Sequence, residues 1–234
     1  YLALSYRWGN AVRSSLMLTA RTESEMRSGM PTSALPRTIQ DACTVVKRLG
    51  YRYLWVDRLC IFQDSGKDWN HESGRMGHIY KHAKLVIAAS CAAEENMGFF
   101  RDRHEQALEY ELGYLSDRGW TFQERVLPAR IVHFAGDQVH WECARLDAWP
   151  HAASWSRLVT EYSERRFTFE SDKLSALSGL AREWRSLRAR RGVPEDAYYA
   201  GLWGSSFMFG LCWLPLSYTV RQRDSPYIAP SWSW

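Results

Sequence analysis

Tyr1-Leu2-Ala3-Leu4-Ser5-Tyr6-Arg7-Trp8-Gly9 opens the chain, and Pro36-Arg37-Thr38-Ile39-Gln40-Asp41-Ala42-Cys43-Thr44-Val45-Val46-Lys47-Arg48-Leu49 follows after a polar stretch. Together they decide the fold class. The apolar run through Tyr6 reads as a buried strand that leaves sharply at Gly9, a residue free to turn. In the second stretch Ile39, Cys43, Val46 and Leu49 fall on one helical stripe. Pro36 suits the first turn, Lys47 and Arg48 complement the dipole in the last, and Gly50 closes the helix. Arg52 to Val56 then reads as a second strand with Asp57 at its carboxyl end. Strand, helix, strand implies a parallel crossover, hence an α/β sheet. Ligands of such sheets bind outside the carboxyl ends of the strands. If the two strands are neighbours, Asp57 and Ser5 to Gly9 share one crevice. A plain turn or cap role for Asp57 stands beside that reading.

Outward from this unit, residues 10–34 are mixed and polar and read mostly as loop. Lys67 to His82 predicts a helix with Trp69, Met76 and Tyr80 or Ile79 inward. His78 and His82, four apart, have no third ligand with them, so solvated or capping roles fit them better than a metal. Ala83 to Ser90 is apolar on both faces, as a central parallel strand requires. Residues 91–115 read as loop. Arg130 to Phe134 and Gln138 to Cys143 read as strands of a hairpin around Ala135-Gly136-Asp137. His133 and His140 lie in that hairpin and read as structural. Beyond Trp149 the pattern changes to helices separated by polar turns, the longest from Asp172 to Arg190 with Leu174, Leu177, Leu180 and Trp184 on its apolar side. Its arginines, 182, 185, 188, 190 and 191, read as a solvated face, with a phosphate patch as the minor alternative. Tyr198 to Trp213 and the closing residues 226–234 are aromatic, so this half reads as a cap packed on the sheet domain.

Ser116-Asp117-Arg118-Gly119-Trp120-Thr121-Phe122-Gln123-Glu124-Arg125-Val126-Leu127-Pro128 predicts a short helix. Ser116 or Asp117 can cap its start, and Pro128 ends it. Trp120 and Glu124 are four apart and share a face. A carboxylate on an inward stripe is either paired or part of a site, because an unpaired buried charge is costly. Thr121 and Glu124 also have capping-box spacing, which would make Glu124 a helix-start tie.

Bulk properties narrow the classes. The chain has 234 residues, enough for one large domain or a core with a subdomain. The net charge of +4 is mild and gives no concentrated nucleic-acid face. No apolar run approaches the roughly 20 residues of a membrane helix. Five cysteines, odd in number and far apart, form no metal spacing and read as reduced, buried thiols of a cytoplasmic protein. The chain begins at Tyr1 without Met, as a piece of a longer protein would. Twelve tryptophans suit flat ring-bearing ligands as well as ordinary cores.

Several stretches, in order, resemble the fungal heterokaryon incompatibility (HET) domain: Ala3 to Gly9, Leu35 to Ala42, Tyr53 to Asp64, Arg75 to Tyr80, Arg118 to Arg125, and Ala229 to Trp234. Arg58 stands where the family pattern leads one to expect a small residue such as Ser. The family is similar to TIR domains in its core. The resemblance implies a TIR- or flavodoxin-like parallel sheet core over residues 1–148, with a helical, aromatic C-terminal part of the same domain over 149–234. It also implies a role in self/non-self recognition and cell death. Many TIR domains cleave NAD at the nicotinamide glycosidic bond with one Glu. Ser116 to Glu124 looks like their catalytic helix, its spacing from Trp differing by about one position.

By that resemblance Glu124 is the catalytic residue, and Ser5, Tyr6, Arg7, Trp8, Gly9, Asp57 and Trp120 bind substrate. NAD is then a substrate, no cofactor or metal is expected, and the partners are a nucleotide-like small molecule and further copies of the chain, not nucleic acid or membrane. Two rivals stay open. One is a non-enzymatic, self-associating signalling module. The other is an enzyme acting on another small molecule in the same crevice. A Ser/Cys–His hydrolase fits less well, because no Gly-x-Ser-x-Gly elbow is present.

Overall fold

The structure, a computed structural model, describes residues 1–9, 16–101, 113–143 and 152–212, with 227, 229, 230 and 233. Its elements are β1 (Leu2–Ser5), α1 (Glu23–Ser28), α2 (Arg37–Arg48), β2 (Leu54–Trp55), α3 (Asp57–Cys60), α4 (Gly66–His82), β3 (Val86–Ala88), α5 (Gly119–Val126), β4 (Arg130–Phe134), β5 (Val139–Cys143), α6 (Ala152–Ser163), α7 (Asp172–Arg190), β6 (Tyr198–Tyr199), β7 (Leu202–Trp203) and α8 (Phe207–Gly210). Five strands form one sheet in the order β2-β1-β3-β4-β5. The first four run parallel, and β5 pairs antiparallel with β4. This is the flavodoxin order, in which the chain leaves β1 to one side for β2 and returns to the other for β3. The crevice where that direction reverses lies at the carboxyl ends of β1 and β3. Ser5 closes β1 there, in register with Ala88, which is in register with His133 of β4.

Side-chain alternation divides the core. Leu2, Leu4, Ile87 and Val132 pack on the α2 face with Ile39, Ala42 and Val46. Ala3, Val86, Ala88 and Ile131 face the other way, toward Met76 and Tyr80 of α4. A third cluster lies beyond this layer. Phe122 and Leu127, in and just after α5, meet Leu158 and Tyr162 of α6 and Leu177, Leu180 and Trp184 of α7, together with Trp155 and Trp203. Helix α5 therefore lies between the sheet and an outer helical layer. Gly119, Thr121, Phe122, Gln123 and Glu124 are all buried, the pattern of a helix enclosed on every side.

Several local expectations need correction. Neither Ser116 nor Asp117 caps α5, whose cap position is Arg118 with no side-chain bond. The Asp117 backbone carbonyl instead accepts from Arg166 N–H, a tertiary bond that holds the residue ahead of the helix. Thr121 Oγ1 donates to the Leu115 and Arg118 carbonyls, and Glu124 turns to the sheet, so no capping box forms. Residues 10–34 hold more than loop: α1 and a turn of 3-10 helix at Thr32–Ala34 lie within them. The second half is not wholly helical, since β6 and β7 form an antiparallel hairpin. Strands β2 and β3 are shorter than their apolar runs, because those runs continue past the hydrogen-bonded ladder. Cys60, Cys143 and Cys212 are exposed, against the expectation of buried thiols. The arginine face of α7 is exposed at Arg182, Arg185 and Arg190 as expected, with Arg182 bonded to the Gly74 carbonyl, Arg188 paired with Asp196 and Arg190 with Glu183. Of the closing aromatic motif, Trp232 and Trp234 lie outside the described residues.

Candidate active site

The site grows from the end of β1. A buried strand must finish somewhere, and here the first polar side chain of the run, Ser5, is 2% exposed. Its hydroxyl donates to Glu124 Oε2 at 2.5 Å. Glu124 reaches it from α5 and is itself 5% exposed. Tyr80 of α4 stands beside the same carboxylate, its hydroxyl donating to the Leu4 carbonyl at 2.9 Å. Three elements thus converge on one acid.

Just past β1 the chain turns at Gly9, which has φ +78°. A Cβ there would also stand 2.4 Å from Glu94 Cβ, so both the backbone and the space require glycine. The turn returns Trp8 toward β2, where its Nε1–H donates to Asp57 Oδ2 at 3.0 Å. Asp57 Oδ1 accepts the Arg58 backbone N–H at 2.7 Å. Asp57 is the first residue of α3, whose cap position is Val56, and its side chain meets Trp8 from the end of β1. Arg58, wholly buried, pairs with the equally buried Glu95 and stacks 4.7 Å from the Trp8 ring centre. Arg118 donates to the Tyr6 carbonyl at 3.3 Å. The Tyr6 phenol is buried with no hydrogen-bond partner among the described residues, although Asp57, Arg58, Glu95 and Arg118 act on it electrostatically.

Burial sets the electrostatics. It lifts the Glu124 carboxyl from its ordinary 4.5 to about 7, with Asp57 adding to the rise and the Ser5 bond and Arg118 opposing it. The Asp57 carboxyl is also raised, by burial first, against the Arg58 N–H, Arg118 and Trp8. Two carboxyls that raise each other's cost of ionisation share the crevice with Arg118, while the guanidinium of Arg58 is matched by Glu95. A cationic ligand would relieve this arrangement by favouring both ionised acids.

The sequence-predicted residues divide accordingly. Ser5, Tyr6, Trp8, Gly9, Asp57 and Glu124 come together. Arg7 is half-buried on the same segment. Trp120 stands apart from Glu124: its Nε1–H donates to Asp172 Oδ2 at 3.0 Å and its ring meets Trp69 edge-on at 5.9 Å, so it joins α5 to α7 and α4. Tyr80, Glu95 and Arg118 belong to the cluster but were not expected there. Tyr80 and Arg118 lay inside motifs already noted, and their chemistry was the available signal. Glu95 carried none, since its partner is 37 residues away. His78 and His82 stack on each other at 3.9 Å on the outside of α4.

Fold and site define an α/β domain of flavodoxin strand order with a buried acid at the β1/β3 switch point. The model of the heterokaryon incompatibility protein (HET) family matches residues 1–114. Heterokaryon incompatibility protein 6, OR allele, of Neurospora crassa is 29% identical over 141 residues, which cover 56% of this chain and 21% of that protein. The chain is thus similar, over its first 114 residues, to the heterokaryon incompatibility family and, in part, to one fungal incompatibility protein. Glu124 lies beyond the segment that the family model covers. No solved structure matches. Among the described residues no helix is long and apolar enough to cross a membrane.

Proposed function

We propose that this domain acts in fungal incompatibility by cleaving the nicotinamide–ribose bond of an NAD-like dinucleotide, with Glu124 as the catalytic carboxylate. The observation that carries the reading is Glu124 itself. It is a buried acid at the strand-order switch point, held by Ser5 and shifted to about 7. The leaving group of such a substrate is a pyridinium. The C–N bond breaks with its electron pair going to the ring nitrogen, so the ring departs neutral and no general acid is needed, in contrast to ordinary glycoside hydrolysis. Water supplies the new C–O bond and releases its proton to solvent. What the protein must supply is negative charge beside the ribosyl cation as it forms. The pyridinium favours the ionised Glu124, so substrate itself draws the carboxyl into its active form. Trp8, held by Asp57 and Arg58, offers a ring face for stacking.

Incubating the protein with NAD and resolving nicotinamide by chromatography tests this. Turnover is expected, and Glu124→Gln, which keeps shape but removes the charge, is expected to lower it by at least about 100-fold. An unchanged rate in the variant would remove Glu124 from the chemistry. A second reading, a self-associating module, rests on apolar side chains left in water: Val139 and Trp141 on the edge strand β5, and Met208 and Phe209 on α8, are 47%, 58%, 78% and 68% exposed. It predicts concentration-dependent assembly by light scattering without nucleotide turnover.

A further inference from the structure

Beside Ser5, on the side away from Asp57, lies a small cavity lined by Ser5, Ala88, Thr121, Arg125, His133 and Arg165 among others, with about 20 Å³ of room for the centre of a water-sized group. Its position follows from the strand register, which sets Ser5, Ala88 and His133 in one row on one face of the sheet. Two guanidinium groups reach it from different elements, Arg125 from α5 and Arg165 from the turn after α6. Their burial is unusual for arginine: the side chains are 27% and 6% exposed. Both converge on a single oxygen, Glu161 Oε1, at 3.7 Å from Arg125 and 3.2 Å from Arg165. Glu161 does not line the cavity and is 43% exposed.

The other charges nearby are committed differently. Glu142 takes Arg125 Nε and Nη2 at 3.1 to 3.3 Å and His133 Nε2 at 3.0 Å. It is thereby held at about 2, the His133 and Arg125 bonds outweighing the opposite push of burial. Asp117 acts on Arg165 from further off. Arg165 also stacks over Phe122 at 4.8 Å, which fixes its plane. Glu142 is locked in a network, whereas Glu161 is a half-exposed carboxylate resting on the two guanidinium forks. Two guanidinium groups aimed at one oxygen form the receptor geometry of a phosphate, whose several oxygens serve both forks better than one carboxylate does.

We infer that Arg125 and Arg165 form a phosphate subsite in which Glu161 occupies the place of the ligand until a phosphoryl group displaces it. One phosphoryl oxygen enters the cavity, which holds no more than that, and the rest of the group takes the position of the Glu161 carboxylate. Ser5 is shared between this cavity and Glu124, so a phosphate here would stand one side chain from the acid. That places the pyrophosphate of the proposed dinucleotide, and the subsite rests on that proposal for the identity of the whole ligand but not for its own existence.

Binding is measured apart from cleavage, by calorimetry with inorganic phosphate, pyrophosphate and ADP on the whole chain. Pyrophosphate is expected to bind. Glu161→Gln removes the competing charge from an exposed position that tolerates change, and is expected to tighten pyrophosphate by about tenfold. Arg165→Met is expected to abolish binding, with circular dichroism checking that the loss is not unfolding. ADP tighter than pyrophosphate assigns the subsite to a nucleotide; equal affinity assigns it to a free phosphate anion. If pyrophosphate binds Glu161→Gln no more tightly than the parent, or neither binds it at millimolar concentration, the subsite is refuted. Binding that behaves as expected while NAD stays intact would sink the glycosidic reaction and leave the subsite standing.

Discussion

Glu124 carries a cost that its own titration reveals. Its folded-state value of about 7 lies above the ordinary 4.5, so the folded protein binds this proton more tightly than the unfolded chain does. Stability from this group is complete below about 4.5 and falls as pH climbs to about 7, above which the loss is constant at about 3 kcal/mol. Glu124→Gln cannot ionise and is free of that slope. It forfeits some of the Ser5 bond at every pH, a constant offset. Relative to the parent, the variant should therefore gain stability between pH 5 and pH 8, by up to about 3 kcal/mol. Denaturant titrations at the two pH values measure it. An offset equal at both would mean that Glu124 titrates normally and that its burial is not what shifts it. At this scale the sequence was informative where a residue's chemistry clashed with its position. A carboxylate on an inward stripe was legible as a buried group, and Glu124 is 5% exposed. Arg58 stood out as a departure from the expected pattern, and it pairs with Glu95, a partner that no local spacing announces.

Among the elements, α5 shows why some features could be read and others not. Its existence and its end followed from local pattern, because Pro128 and apolar spacing act within a turn or two. Its start did not: the cap position falls on Arg118, past the expected Ser116 and Asp117, and the Asp117 carbonyl takes the Arg166 N–H from across the chain. The same distinction holds for α7, legible from Asp172 to Arg190, against β2 and β3, whose ladders end where partners end. Close packing around α5 adds a constraint that sequence alone could not rank. A Cβ on Gly179 of α7 would stand 2.5 Å from Gln123 Oε1 and 3.3 Å from Gly77 Cα of α4. Gln123 is 1% exposed and has little room to yield. Gly74, also in α4, has nothing within 4 Å of such a Cβ. Helix propensity favours alanine at both positions by up to about 1 kcal/mol, so packing decides the sign. Gly74→Ala should stabilise by about 0.5 kcal/mol, and Gly179→Ala should destabilise by about 1–3 kcal/mol. Equal effects in thermal unfolding would show that the α4–α5–α7 junction is looser than its geometry.

For the whole molecule, what matters is where the site gets its rigidity. The sheet supplies Ser5 and Asp57, but the helix that supplies Glu124 is enclosed by α6 and α7, which lie in the second half of the chain. Phe122 is wholly buried and Leu127 is 3% exposed, both against that layer. Trp120 is bonded to Asp172, and Trp155 packs near Trp184 and Trp203 at 5.7 and 5.6 Å. Helices α6 and α7, with Trp203, are thus the outer wall of the helix that bears the acid, and the two halves should behave as one cooperative unit. Removing that wall exposes Phe122 and Leu127 at about 2 kcal/mol each, together with other apolar groups of α5, a large share of the 5–15 kcal/mol that stabilises an ordinary domain. Residues 1–148 expressed alone should bind a hydrophobic dye, lack a cooperative melt and cleave no NAD, while the whole chain melts in a single calorimetric transition. If the fragment melts cooperatively near the temperature of the whole chain, the sheet domain holds α5 without help. The aromatic half would then be a separate domain, and its seven of the chain's twelve tryptophans would need explaining by a partner rather than by the acid it encloses.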